Sequence, residues 1–167
     1  LDNNFLNIID LKTPYIEKAI FESCKIKKNV VEKDEKEKNL RKILNFGHTF
    51  AHAYEASLGY SKKLNHGEAV LLGIGSALKF SYEKKFLKKG EYKDILNHIK
   101  EANLPFNLKK YFSLKQLDKI VSFMLKDKKN NSKNINLILL KKIGYPITNI
   151  NYSKKDITSF LKRILSN

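Results

Sequence analysis

The chain is poor in several residue types: one cysteine (Cys24), one methionine, three prolines, seven glycines and no tryptophan in 167 residues. A single thiol excludes an internal disulfide framework and fits a reducing compartment, so a cytoplasmic location is expected. No apolar run approaches the ~18 residues of a membrane span, and no charged-then-apolar leader opens the sequence. Arginine is almost missing, with only Arg41 and Arg163. The formal charge of +16 therefore rests on lysines, which are scattered through every segment and are not gathered into a basic strip interleaved with aromatics. No helix-turn-helix or RNA-binding motif accompanies them. Nucleic acid is thus not the expected partner, while the same field suits a small anionic substrate. No G-x-G-x-x-G follows a strand pattern, so these residues hold no dinucleotide-binding unit. What is present, at 42% hydrophobic content, suffices for one domain with a real core.

The densest chemistry lies between Glu35 and Glu68. The pattern predicts one helix over Glu37 to Leu58, bounded by Gly59. Turned at about 100° per residue, that helix would carry Glu37, Arg41, Asn45, His48, His52 and Glu55 on one stripe within about 40° of Arg41. The rest of its circumference is largely apolar, including Ile43, Leu44, Phe46, Phe50, Ala51 and Tyr54, which predicts burial. Exposed faces of this chain favour lysine, and the stripe from Arg41 to His52 has none. Asparagine and histidine are weak helix formers, so their alignment points to a lined cleft.

Asn65-His66-Gly67-Glu68 has the form of a capping box opening a second apolar helix, from His66 to about Lys84. Gly73 and Gly75 within it suit a close approach of another backbone. His66 is expected in the first turn of a buried helix, where the positive dipole end favours the neutral imidazole that binds metals. Three of the four histidines thus fall within nineteen residues on two packed helices. His98 is expected at the surface or the core edge.

Elsewhere, Leu1 to Leu11 reads as a short lead-in. Thr13-Pro14 should start a helix with threonine as cap, presenting Ile16, Ile20, Cys24, Lys27 and Val31 along one face. Lys27 is the lysine that breaks this apolar stripe. Glu32 to Asn39 reads as a turn region, Lys85 to Asn103 as helix, and Leu104-Pro105 as its end. Ser113 and Gln116 form a capping box ahead of a helix through about Lys126. Asp127 to Asn134 reads as a loop. Ile135 to Leu140 and Ile147 to Tyr152 should pair as a hairpin about Gly144-Tyr145-Pro146. Ser153 should cap a last helix. The fold expected is mostly α, a multi-helix domain with one small β-hairpin near residues 135–152.

Glu35-Lys36-Glu37, Arg41, Leu44-Asn45-Phe46-Gly47-His48-Thr49, His52-Ala53, Glu55 and His66-Gly67-Glu68-Ala69-Val70 with Gly73 closely resemble the C-terminal domain of 3-dehydroquinate synthase. The likeness extends to Cys24-Lys25-Ile26-Lys27, Val30-Val31, Met124, Asp127-Lys128-Lys129 and the Leu137 to Gly144 strand. It implies a fold, an activity and a site. The activity is conversion of 3-deoxy-arabino-heptulosonate 7-phosphate to 3-dehydroquinate and phosphate in the shikimate pathway. NAD transiently oxidises a ring hydroxyl, phosphate leaves by β-elimination, the carbonyl is reduced again and the opened chain closes by an aldol step.

Spacing alone points to His48 and His52, at i and i+4, as a zinc pair. The resemblance instead implies that His48 and His66 hold Zn2+ or another divalent ion such as Co2+, with His52 contacting substrate. It likewise implies Lys27, Arg41, Asn45, Lys128 and Lys129 as substrate-binding residues, with His52 and Glu37 handling protons. The family's glutamate ligand and its NAD-binding domain have no counterpart in these residues, and Asn39 and Ala51 stand where glycine is common. The chain is accordingly expected to be the C-terminal domain of a larger, homodimeric enzyme and to be inactive alone. Two alternatives remain at this stage: another NAD- and metal-dependent sugar phosphate cyclase, and a non-catalytic basic helical module.

Overall fold

The computed structural model of the chain describes residues 4–104, 106–126 and 134–166. Among these, seven α-helices and one antiparallel hairpin follow in order: α1 (Phe5–Ile9), α2 (Tyr15–Lys33), α3 (His48–Ser57), α4 (His66–Glu83), α5 (Lys89–Glu101), α6 (Leu117–Lys126), β1 (Asn134–Lys142), β2 (Tyr145–Ser153) and α7 (Lys154–Ser166). Short 3-10 turns occupy Leu40–Asn45, Leu108–Lys110 and Leu114–Gln116. None of these helices is long and apolar enough to cross a membrane. The mostly α architecture with a single hairpin agrees with the sequence pattern.

The core gathers α3, α4, α6, α7 and the inward face of the hairpin. Phe50, Tyr54, Phe80, Ile120, Met124, Ile135, Leu137, Leu139, Ile157 and Phe160 are fully buried there. Alternation along β1 sends Ile135, Leu137 and Leu139 inward and leaves Asn136 and Ile138 on the other face. Phe160 packs against Phe50 and edge-on to Phe80, tying α7 to both central helices. Ser153 caps α7 as expected: its hydroxyl accepts from the Asp156 N–H and donates to the Asp156 carboxylate. The capping box of Ser113 and Gln116 is also formed, opening a 3-10 turn that leads into α6.

Four expectations need correction. The helix predicted over Glu37 to Leu58 is broken: a 3-10 turn ends at Asn45, Gly47 takes φ +80°, and α3 begins only at His48. The cause is the partner helix. A Cβ on Gly47 would strike the backbone of Gly73 and Ile74, and one on Gly73 would strike Gly47 O and come within 2.9 Å of Ala51 N. Two glycines thus let α3 start in direct backbone contact with the middle of α4. Gly75 answers to something else, the ring of Phe106.

The second correction concerns α2: Pro14, not Thr13, occupies the cap position, with no side-chain cap bond, while Thr13 donates to the Glu17 side chain. The helix buries no residue, and Ile20 and Cys24 of its apolar stripe are exposed. Third, the helix read over Lys85 to Asn103 is instead α5, separated from α4 by a turn with Lys85 at φ +62°. Fourth, His66 does open the buried helix α4 as expected, but that first turn faces outward and its side chain is 64% exposed.

Candidate active site

Glu37, Arg41 and Asn45 do not reach the site along a helix. Asp34, just after α2, accepts from the backbone N–H groups of Lys38, Asn39 and Arg41 at 2.9, 2.7 and 3.0 Å. Those three bonds, that from Arg41 foremost, hold its carboxyl below the usual carboxylate range. They also curl the chain so that Glu37 sits at φ +52°, a left-handed conformation unusual for a non-glycine residue. So placed, the Glu37 carboxylate accepts from Asn45 Nδ2 at 2.6 Å, and Arg41 donates to Glu35 O at 2.7 Å.

Two hollows meet at this turn and share Glu37, Asn45 and His48. One, of about 490 Å³, is completed by Ser23, Ile26, Lys27, Arg41 and Leu44. The other, of about 410 Å³, is completed by Lys42, Thr49, His52 and the outward face of the hairpin through Asn136, Ile138, Thr148 and Asn149. The sequence-predicted residues Lys27, Glu37, Arg41, Asn45, His48 and His52 are therefore brought together. Lys128 and Lys129 lie outside the described residues.

The hairpin's contribution was not read from the sequence. Leu137 pairs with Ile150 and Leu139 with Ile147, so Thr148 and Asn149 together face Ile138 across a bulge. Asn149 adopts φ +61° there and accepts from Lys42 Nζ at 3.1 Å, while Thr49 donates to Asn136 O at 3.3 Å. The available signal was parity: Asn136 alternates with the buried Ile135 and Leu137.

His66 lines neither hollow, yet its ring centroid lies 6.2 Å from that of His48; His48 and His52 are 5.5 Å apart. With Zn–N bonds of about 2.0–2.1 Å, two imidazoles on a tetrahedral ion come to ~5 Å between centroids, so the His48–His52 spacing is close to that of a shared cation and the His48–His66 spacing about 1 Å wider. The ring nitrogens separate the pairs. His48 Nδ1 bonds Phe46 O at 3.3 Å, and His66 Nδ1 bonds Glu55 Oε1 at 3.0 Å. Carbonyl and carboxylate oxygens only accept, so both rings carry hydrogen on Nδ1, and in the neutral imidazole the lone pair is on Nε2, the donor a metal takes. His52 makes no such bond among the described residues. The donor set fits two ligands of a divalent ion, though no group of three or more His, Cys, Asp or Glu converges on a metal position among the described residues.

Asn65 and Glu68 form the predicted capping box, with Asn65 N–H donating to Glu68 Oε2 at 2.9 Å, and this fixes where α4 begins and hence where His66 stands. Tyr111 donates to the other carboxylate oxygen of Glu68 at 3.3 Å, a structural role. His98 sits at the core edge against Phe5, 4.1 Å between rings, away from this site.

The same helical fold is found in two solved synthases. The fold matches a 2-epi-5-epi-valiolone synthase from Streptomyces hygroscopicus with NAD+ and Zn2+ bound. The TM-score is 0.65 at 20% identity, over 83% of this chain and 37% of that one. It also matches a 2-deoxy-scyllo-inosose synthase complexed with carbaglucose-6-phosphate, NAD+ and Co2+, with a TM-score of 0.62 at 23% identity, over 76% of this chain and 36% of that one. The chain belongs to the 3-dehydroquinate synthase C-terminal family, whose model matches residues 1–130. It is 55% identical over 166 residues to the 3-dehydroquinate synthase of Pelagibacter ubique, covering 99% of this chain and 45% of the relative. It is 44% identical over 152 residues to that of Leptospira interrogans, covering 91% and 40%. The chain thus spans about half the length of the curated relatives it matches, and the reading as an unrelated basic module gives way.

Proposed function

We propose that this chain is the metal- and substrate-binding domain of a 3-dehydroquinate synthase. The whole enzyme would convert 3-deoxy-arabino-heptulosonate 7-phosphate to 3-dehydroquinate and phosphate. Its NAD-binding domain corresponds to the half of the relatives outside the match, and this domain alone is inactive. The expected homodimer rests on the family resemblance and the cytoplasmic location on the single thiol. One observation carries the site reading: His48 and His66 each have Nδ1 engaged by an acceptor oxygen, with the rings 6.2 Å apart, whereas His52 has no such partner among the described residues.

His48 and His66 would hold the divalent ion, Zn2+ or Co2+, which when bound supplies Lewis acidity at the substrate hydroxyl undergoing oxidation. NAD supplies the hydride acceptor. Lys27 and Arg41 bind the anionic groups, the arginine fork being suited to two parallel bonds to a phosphate or carboxylate. Lys128 and Lys129 add cationic contacts from outside the described residues. Asn45 orients Glu37 through the 2.6 Å bond and offers its amide oxygen to a substrate hydroxyl. Glu37, at its carboxylate, and His52, at a ring nitrogen, are the groups positioned to take and return protons.

The test is phosphate release from the heptulosonate phosphate by the full-length enzyme with NAD. His48→Ala should abolish turnover and stoichiometric zinc together, and unchanged activity and zinc would overturn the reading. Because one solved structure of this fold is complexed with carbaglucose-6-phosphate, the same assay run on alternative sugar phosphates separates this enzyme from another sugar phosphate cyclase.

A further inference from the structure

Glu55 stands on α3 three residues after His52 and seven after His48, on the face that carries both. Its side chain is only 13% exposed, and among the described residues its one hydrogen-bond partner is His66 Nδ1, at 3.0 Å. Neither fact serves the helix. A carboxylate in the last turn meets the negative end of the macrodipole, and withdrawing an anion from water costs stability unless a positive charge compensates. His66 presents the complementary problem. Packing cannot fix the ring of a side chain that is 64% exposed, so the bond to Glu55 is what selects its orientation and tautomer.

We propose that Glu55 is the positioning residue of the metal site. It holds His66 with hydrogen on Nδ1 and the lone pair on Nε2, and its buried charge complements the dication that His48 and His66 share. The proposal rests on the metal reading above and adds a residue to it. A purely structural His66–Glu55 contact would instead make Glu55 matter to folding whether or not metal is present.

The experiment uses the full-length enzyme with zinc alone as probe. It compares Glu55→Ala, Glu55→Gln, His48→Ala and His66→Ala by zinc affinity against a competing chelator, by the visible spectrum of the Co2+-loaded protein, and by the melting temperature of the metal-free protein. Glu55→Ala should weaken zinc binding about 10- to 100-fold and alter the Co2+ spectrum, with the metal-free melting temperature unchanged. Glu55→Gln, whose amide oxygen still accepts from Nδ1–H, should lose less than Glu55→Ala. Wild-type affinity in Glu55→Ala alongside lost binding in both histidine variants would overturn the role of Glu55 while sparing the metal reading. A metal-free melting temperature lowered in both Glu55 variants would overturn it as well, in favour of a structural contact. Zinc affinity unchanged in all four variants would defeat the metal reading and this proposal with it.

Discussion

The α3–α4 junction and α2 both supply residues to the same cleft, yet they are built in opposite ways. The junction is backbone against backbone: Gly47 meets Gly73 and Ile74, Phe50, Ala51 and Ala69 are fully buried, and Tyr54 shares a 2.6 Å hydrogen bond with Ser76. Burial raises the Tyr54 phenol far above its ordinary pKa, so that bond is one between neutral groups. Helix α2, nineteen residues long, buries none of them. His48 and His52 therefore inherit their positions from the core, whereas Lys27 hangs on an element with little packing of its own. The lesson is a division of labour: His48 and His52 stand on a helix packed into the core, and Lys27 stands on one that contributes nothing to it.

The comparison breaks if truncation costs as much on α2 as at the junction. Phe50→Ala, which empties a fully buried ring position, should lower stability by about 3–5 kcal/mol in urea unfolding. Gly73→Ala should follow with about 2–3 kcal/mol, since the new methyl meets Gly47 O and Ala51 N with no flexible side chain to give way. Between the two regions, the turn at Asp34 offers a pH test. Its carboxyl titrates below the ordinary range in the folded state, so its contribution is complete above the unfolded value of ~3.9 and is lost as pH falls through the lower folded value. The amide resonances of Lys38, Asn39 and Arg41 should stay native at pH 5 and move toward random-coil positions only once pH falls beneath the ordinary carboxylate value, and Asp34→Asn should weaken the same turn at neutral pH. The smallest effect is expected on α2, where Phe21→Ala should fall within ~0.5 kcal/mol because its ring is 64% exposed.

Much of this was legible from residue pattern. The capping boxes at Asn65 and Ser113, the cap at Ser153 and the hairpin all obey rules of a few residues' reach, and each forms where those rules place it. The break at Gly47 does not obey such a rule. Leu40 to Asn45 has the composition of an ordinary helix, and the reason for the break is Gly73, twenty-six positions away in sequence, whose demand for space no local window contains. Glu37 and Asn45 are therefore neighbours of His48 as the pattern implies, but through a turn pinned by Asp34 and not along one helix face. His66 opens the helix where the pattern places it. Its helix is buried further along, from Ala69 on, but its first turn opens to solvent, and the partner that orients it comes from α3. Asn149 was invisible because a bulge, and not strand alternation, turns it toward Lys42.

The central claim is that His48 and His66, and not the sequence-adjacent pair His48 and His52, hold the metal. Zinc content per chain of the full-length enzyme tests it most directly, measured on purified wild type, His48→Ala, His52→Ala and His66→Ala after equal exposure to zinc. Loss in the His48 and His66 variants with retention in the His52 variant is the result expected. Retention in His66→Ala with loss in His52→Ala would contradict it.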